Sequence, residues 1–155
     1  MTRILFLTTL LFCFANSITS VSYSPASNVF MADDIAGDWV KDDGAFKVRI
    51  ERIADKYYGK ILWLEQPLDK DGKPKKDVFN PDPKLRDNSI IGLTVLKSLK
   101  YDRDGLWEDG ELYDLESGKS YDCRITLRDK NRAEMRAYMT FSFLGKSFFF
   151  NRVVN

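Results

Sequence analysis

From Phe46 onward, apolar and polar residues alternate with a period of two through most of the chain. "AFKVRIERI" puts Phe46, Val48 and Ile50 on one face and Lys47, Arg49 and Glu51 on the other. "YYGKILWLE", "SIIGLTVLKSL", "GLWEDGELYDL", "SYDCRITLRD", "AEMRAYMTFSF" and "KSFFFNRVV" follow with the same or nearly the same rhythm. A strand throws successive side chains to opposite faces, so these segments read as half-buried β-strands. Asp43-Gly44, Asp104-Gly105 and Ser117-Gly118 fall between them and carry the chemistry of tight hairpin turns. Asp109-Gly110 falls inside a strand and predicts a bulge or a second tight turn. "GLTVLKSLK" also fits a short helical turn, because Leu93, Leu96 and Leu99 lie near helical spacing. Seven or eight strands joined mostly by short turns predict an all-β fold. An antiparallel up-and-down barrel of about eight strands suits them, because closure leaves no exposed edge. A β-sandwich is the alternative.

The alternation is absent at the start. Arg3 precedes an apolar run from Ile4 to Phe14, and small and polar residues follow. This is the layout of a secretory signal peptide over residues 1–20, with cleavage after Ser17 or Ser20. The run is shorter than the roughly 20 apolar residues of a membrane span. Lipidation at Cys13 is disfavoured by the bulky Phe12 before it. Residues 21–36 form a lead-in, with a short helical turn near Met31 to Ile35, and residues 37–155 form one β-barrel domain. The expected location is periplasmic or secreted, with no transmembrane span after signal cleavage.

Composition narrows the chemistry. The leader holds one of the 24 basic residues and none of the 23 acidic ones, so the remainder is balanced. With no basic stripe, nucleic acid is a poor partner. There is no histidine, which excludes Ser-His-Asp and Cys-His nucleophiles and a histidine zinc site. Without the leader, Cys123 is the last cysteine, so it forms no intramolecular disulfide and suits a buried apolar role. No cofactor and no metal site are expected. "DKDG" at Asp69 and "DRDG" at Asp102 lack the glycine and glutamate positions of a calcium loop.

One loop stands apart. Residues 66–89 have little strand character, and loops this long in compact domains are often functional or self-packed. Within "DVFNPDPKLRDN", Pro81 and Pro83 stiffen the backbone, and Asn80 and Asp82 suit turn caps. Phe79 and Leu85 would pin the loop to the barrel, and Arg86 would pair with Asp77 or Asp82. Asp77, Asn80 and Arg86 are therefore expected to hold the loop's shape.

The two ends of the domain carry matching elements. "GDW" at Gly37 to Trp39 opens the first strand, and Arg152 lies in the last. In lipocalin-like barrels a Gly-x-Trp of this kind packs its indole beneath an arginine of the final strand, a cation–π contact that closes the barrel floor. Trp39 and Arg152 would do so here. Aromatic residues make up 14% of the chain. Trp39, Trp63, Trp107, Tyr113 and Tyr121 either line a ligand cavity or fill it. "FFF" at Phe148 to Phe150 puts apolar groups on both faces of its strand, so its outer face should be covered, by the lead-in or by a second subunit.

The ordered series "GDW", "GKILWL", "DGKPKKDVFNPDPKLR", "IIGLTVLKSLK", "LWEDGELYDLESGKSYDCRITL", "MRAYM" and "LGKSFFFNR" resembles the bacterial exported family catalogued as domain of unknown function 2147. The resemblance covers Gly37 to Arg152. Where that family typically has Arg-Gly-Tyr, this chain has Ala137 in the middle position. Where it often has Gly-Arg-Thr and Trp-x-Arg, this chain has Gly145-Lys146-Ser147 and Phe150-Asn151-Arg152. The resemblance implies a signal-bearing, lipocalin-like protein and no particular activity.

Three functional readings follow. The first is a non-enzymatic periplasmic or secreted protein that binds a small apolar or amphipathic ligand. Trp63, Arg86, Trp107, Tyr113 and Tyr121 would form the site, with Arg86, Arg152 and tyrosine hydroxyls orienting polar ends. The second is an envelope protein-interaction module that docks through the 66–89 loop. The third is a carboxylate-dependent envelope hydrolase, with its acids drawn from Asp77, Asp82, Glu108, Asp109 and Glu111.

Overall fold

In the computed structural model, which describes residues 29–139 and 144–154, the alternating segments become eight antiparallel strands. They are β1 (Gly37–Lys41), β2 (Phe46–Ile53), β3 (Lys56–Leu64), β4 (Thr94–Arg103), β5 (Leu106–Asp114), β6 (Lys119–Asp129), β7 (Arg132–Tyr138) and β8 (Gly145–Arg152). Each pairs with its chain neighbour, and β1 pairs with β8, so the sheet closes into an up-and-down barrel. The sandwich alternative is excluded. Asp43-Gly44, Asp104-Gly105 and Ser117-Gly118 are turns, as their composition predicts. The leader lies outside the described residues, as does the first half of the lead-in, residues 21–28.

Two of the departures from simple alternation have the same cause, a bulge at a residue of positive φ. In β4, Leu96 lies opposite Gly59 and Leu99 opposite Tyr57, so three steps on one strand face two on the other. Ser98, at φ 60°, is the extra residue. This bulge turns both Leu96 and Leu99 inward, so the helical reading of "GLTVLKSLK" gives way to a bulged strand. Asp109, at φ 57°, forms the second bulge, beside Gly110 in β5.

The lower end of the barrel is solid. Ile35, Tyr57, Leu99, Trp107 and Cys123 are all buried there. Trp107 meets Tyr57 edge-on at 6.3 Å between ring centroids and Tyr101 at 5.2 Å. The lead-in crosses this end as a short 3-10 turn, Ala32–Ile35, and is held by its carbonyls. Trp39 Nε1 donates to Ile35 O at 2.8 Å, Trp107 Nε1 to Ala32 O at 3.2 Å, and Tyr101 Oη to Phe30 O at 2.7 Å. Tyr57 Oη donates to Asp33 Oδ1 at 2.7 Å, and burial first, then that carboxylate, pushes the phenol up to about 12. The described part of the lead-in, residues 29–36, thus caps the barrel's end and lies away from the "FFF" strand. Phe148 lies opposite buried Met135 and Phe150 opposite buried Ala133, so both face inward. Only Phe149 faces out, with the Arg132 guanidinium 5.0 Å from its ring centroid.

Cys123 sits in this solid half, fully buried. Burial, then the charges of Asp122 and Glu111, pushes its thiol up to about 12. In a form lacking residues 1–20, Cys123 is therefore expected to react with an aromatic disulfide reagent only as the barrel unfolds. Rapid labelling of the native protein at mildly alkaline pH would contradict this burial.

Candidate ligand cavity

The floor is set by the pairing of the chain's two ends. Trp39 lies directly opposite Arg152 across the β1–β8 seam, and the Arg152 guanidinium stacks 4.2 Å from the indole centroid. The same guanidinium gathers the lead-in. Nη1 donates to Ala36 O at 2.9 Å, Nε to Lys130 O at 2.7 Å, and Nη2 to Asp34 O. A side chain at Gly37 would place its Cβ 2.9 Å from Nη1, at φ +128°, so the glycine of "GDW" makes room for the clamp. Arg152 is consumed by the floor and is not available to orient a ligand.

Above Trp39 the barrel is hollow. A cavity of about 1300 Å³ fills its upper half. Its wall is built by apolar residues: Val48 and Ile50 on β2, Ile61 on β3, Val95 and Leu96 on β4, where the register shifts by one residue, Leu112 on β5, Ile125 on β6, Met135 on β7 and Phe148 on β8. Ligand sites are typically apolar concavities of about 300–1,000 Å³. The mouth is framed by the 42–45 turn, the 66–89 loop and the 115–118 turn.

The loop is braced over this mouth by one buried carboxylate. Asp77 is 1% exposed. Tyr113 Oη, at the end of β5, donates to its Oδ1 at 2.8 Å, and Asn80 Nδ2 donates to its Oδ2 at 2.6 Å. Burial, then that bond, pushes the Tyr113 phenol up to about 12. Asp77 N donates to Asn88 O at 3.0 Å, which fastens the loop's two limbs. Asn80 Oδ1 and Asp82 Oδ1 cap the backbone amides of Asp82 and Lys84, where Pro83 starts a 3-10 turn. Gly118, at φ +67°, lets the β5–β6 turn press against the loop: a Cβ there would stand 1.9 Å from Phe79 O.

The structure brings Trp39, Tyr113 and Tyr121 to the cavity, with Tyr121 opposite Leu112 on the inner wall and Tyr113 at the rim. It does not bring the other three nominated ligand residues there. Trp107 is buried in the solid half, against the lead-in. Trp63 faces outward, 42% exposed, with Lys47 Nζ 5.3 Å from its ring centroid. The reason is a bulge. Val48 pairs with Ile61 but Lys47 with Trp63, so Leu62 is an extra residue that flips Trp63 to the outer face. Arg86 lies exposed on the loop, and its Nε donates to Asn80 O at 2.8 Å in place of an acidic partner. Phe79 contributes to the mouth, whereas Leu85 stays exposed on the loop's outside. The nominated acids do not face one another across a cleft. Asp77 is inside the loop, and Asp82 caps its turn. Glu111 bonds Lys97 and Asp109 bonds Lys100 on the outside of β5, where Glu108 also faces. Among the described residues no cluster of three or more histidine, cysteine or acidic side chains could hold a metal, and no helix is long and apolar enough to cross a membrane.

Residues that the sequence reading passed over include Lys41 and Lys146, which stand at the mouth. Their signal was present: in "KSFFF", Lys146 shares a face with Phe148 and Phe150.

The sequence profile of a bacterial family, described as "Uncharacterized protein conserved in bacteria (DUF2147)", matches residues 37–152. The chain belongs to this family. The match begins at the glycine beneath the Arg152 clamp and ends at Arg152, so the DUF2147 unit is the closed barrel. No curated protein matches the chain. Among solved structures it is similar to one reported under the words "Protein HP1028 from the human pathogen Helicobacter pylori belongs to the lipocalin family". The two share 25% identity and a TM-score of 0.67, over 77% of this chain and 83% of that one. This DUF2147 protein therefore has a lipocalin-like barrel.

Proposed function

We propose that this protein is a non-enzymatic carrier or receptor for a small amphipathic molecule with a long apolar part, acting in the periplasm or outside the cell. The observation that carries the reading is the division of the barrel: a sealed aromatic floor below, and an apolar cavity of about 1300 Å³ open at a braced mouth above. Apolar burial would supply the affinity, since the wall offers few polar partners. The leader read at residues 1–20 supports the location. The lipocalin-family likeness supports the class of ligand.

Filling the cavity tests this directly. Ala137 lines the wall near the mouth and is buried. Ala137→Trp is expected to weaken binding of an environment-sensitive apolar dye by about tenfold or more, or about 1.4 kcal/mol, with little change in melting temperature. Native mass spectrometry of protein isolated from its own envelope should show a retained small molecule that the variant lacks. Unaltered dye binding in a folded variant would sink the reading.

The loop supports a second reading, docking of an envelope protein, because it is rigid and presents Val78 and Phe79 to solvent. Both side chains also border the cavity mouth, which favours their acting as its lip.

A further inference from the structure

The polar groups at the mouth are not evenly placed. Lys146 on β8 lies opposite Ala137, whose side chain faces the cavity, so Lys146 shares that inward face. Lys41 on β1 lies opposite inward Phe150. The two ammonium groups flank one ring: Lys146 Nζ is 5.1 Å and Lys41 Nζ 5.9 Å from the centroid of Phe148. An inward lysine on an apolar wall is unusual, and two beside one aromatic ring put a concentrated positive charge at the top of that wall. Lys41 is paired with Asp43 in the adjacent turn. Lys146 has no ion pair among the described residues.

The acids that line the cavity mouth are Glu65, Asp69, Asp114 and Glu116. Asp114 ends β5 and Glu116 lies in the turn to β6, three strand positions around the barrel from the β8–β1 seam. Asp114 is also committed to its own turn, accepting from the Glu116 amide and the Ser117 hydroxyl. On the β1–β8 side of the mouth the lining charges are thus Lys41 and Lys146 over Phe148, whereas the 65–89 side carries both signs, Glu65 and Asp69 with Lys75 and Lys76.

We infer that the ligand is a single-chain amphiphile with an anionic head. The head rests on Lys146, with Lys41 beside it, and the chain runs down the Phe148 wall toward Trp39. This rests on the cavity reading above and adds the charge of the head group and its position. An ammonium at the rim of an apolar well discriminates an anion from an isosteric neutral head by charge-assisted hydrogen bonding.

The test compares hexadecanoate with hexadecan-1-ol, two ligands of the same chain length, by displacement of an apolar dye. The parent protein is expected to bind the carboxylate about tenfold more tightly than the alcohol at low salt, with the ratio falling as salt rises. Lys146→Gln should bring the ratio close to one, and Lys146→Glu should invert it. Circular dichroism confirms that each variant is folded. A parent that binds both ligands equally overturns the head-group site while leaving the cavity reading intact. A preference that survives Lys146→Gln and the Lys41→Gln/Lys146→Gln double variant overturns the assignment to these lysines. A parent that binds neither overturns both this inference and the cavity reading.

Discussion

Arg152→Ala is expected to lower the melting temperature by about 10–15 °C, corresponding to about 3–4 kcal/mol. The guanidinium donates to three backbone carbonyls, on Asp34, Ala36 and Lys130, and covers the Trp39 indole. Its removal leaves those carbonyls short of donors at a place where the lead-in has few other ties to β8. Burial draws the arginine's pKa downward, so part of the interaction is spent on desolvation, and the expected loss is set below a sum over the separate bonds. Arg152→Lys keeps a cation near the indole but cannot reach three acceptors in three directions, so it should recover about half of the loss. The chain's two ends would separate first. Hydrogen exchange should therefore show lost protection at residues 30–41 and 145–152 before the β4–β6 region changes. A melting temperature within about 2 °C of the parent would show that the clamp contributes little.

Asp77→Ala should act at the other end of the barrel. It removes both carboxylate acceptors from a site that is almost fully buried, leaving Tyr113 Oη and Asn80 Nδ2 unpaired and a void behind them. The expected cost is about 2–3 kcal/mol, concentrated in the loop. Limited proteolysis should then cut within residues 66–89 at least tenfold faster, because local opening of the loop no longer has to break these bonds. Tyr113→Phe removes one of the two bonds and should cost about 1 kcal/mol. In a double-mutant cycle the two changes should be strongly non-additive, since each deletes the same bond. Additive effects would place the loop's support elsewhere. Dissociation of a bound dye should also quicken in Asp77→Ala, because Val78 and Phe79 at the mouth are carried by the same loop.

Much of the fold was legible because alternation is a local signal. Phe46, Val48 and Ile50 show their inward face without reference to any other strand, and Asp43-Gly44, Asp104-Gly105 and Ser117-Gly118 mark three of the turns between strands. The Trp39–Arg152 clamp was legible because both residues lie at fixed places near the domain's ends. The bracing of the loop could be read from Asp77, Asn80 and the flanking prolines, although the partner of Arg86 proved to be a carbonyl. The lining of the cavity was harder to read. A residue that fills a barrel and one that lines it have the same inward position and the same apolar character, so Trp107 and Tyr121 look alike in sequence. Only packing against the lead-in puts Trp107 below the floor. Trp63 failed for a different reason. A single extra residue at Leu62 reverses every side chain beyond it, and nothing in "KILWLE" marks that residue as unpaired. The inward Lys146 was visible in the pattern, yet a lysine among charged neighbours does not stand out until the strand's register is known.

The seam between β1 and β8 also dictates the order in which the molecule can be finished. A chain that has formed its first seven strands still has an open edge on β1 and another on β7, and its floor lacks the arginine that fastens the lead-in. The final strand supplies all of these at once. Seven-eighths of this barrel is not a smaller barrel but an unfinished sheet, prone to pairing with other copies. Folding of this chain is thus decided by its last strand, whose pairing with β1 is the most distant in sequence and the slowest to find. A fragment ending before Gly145 should gain no cooperative transition, whereas supplying Gly145–Arg152 as a separate peptide should restore one.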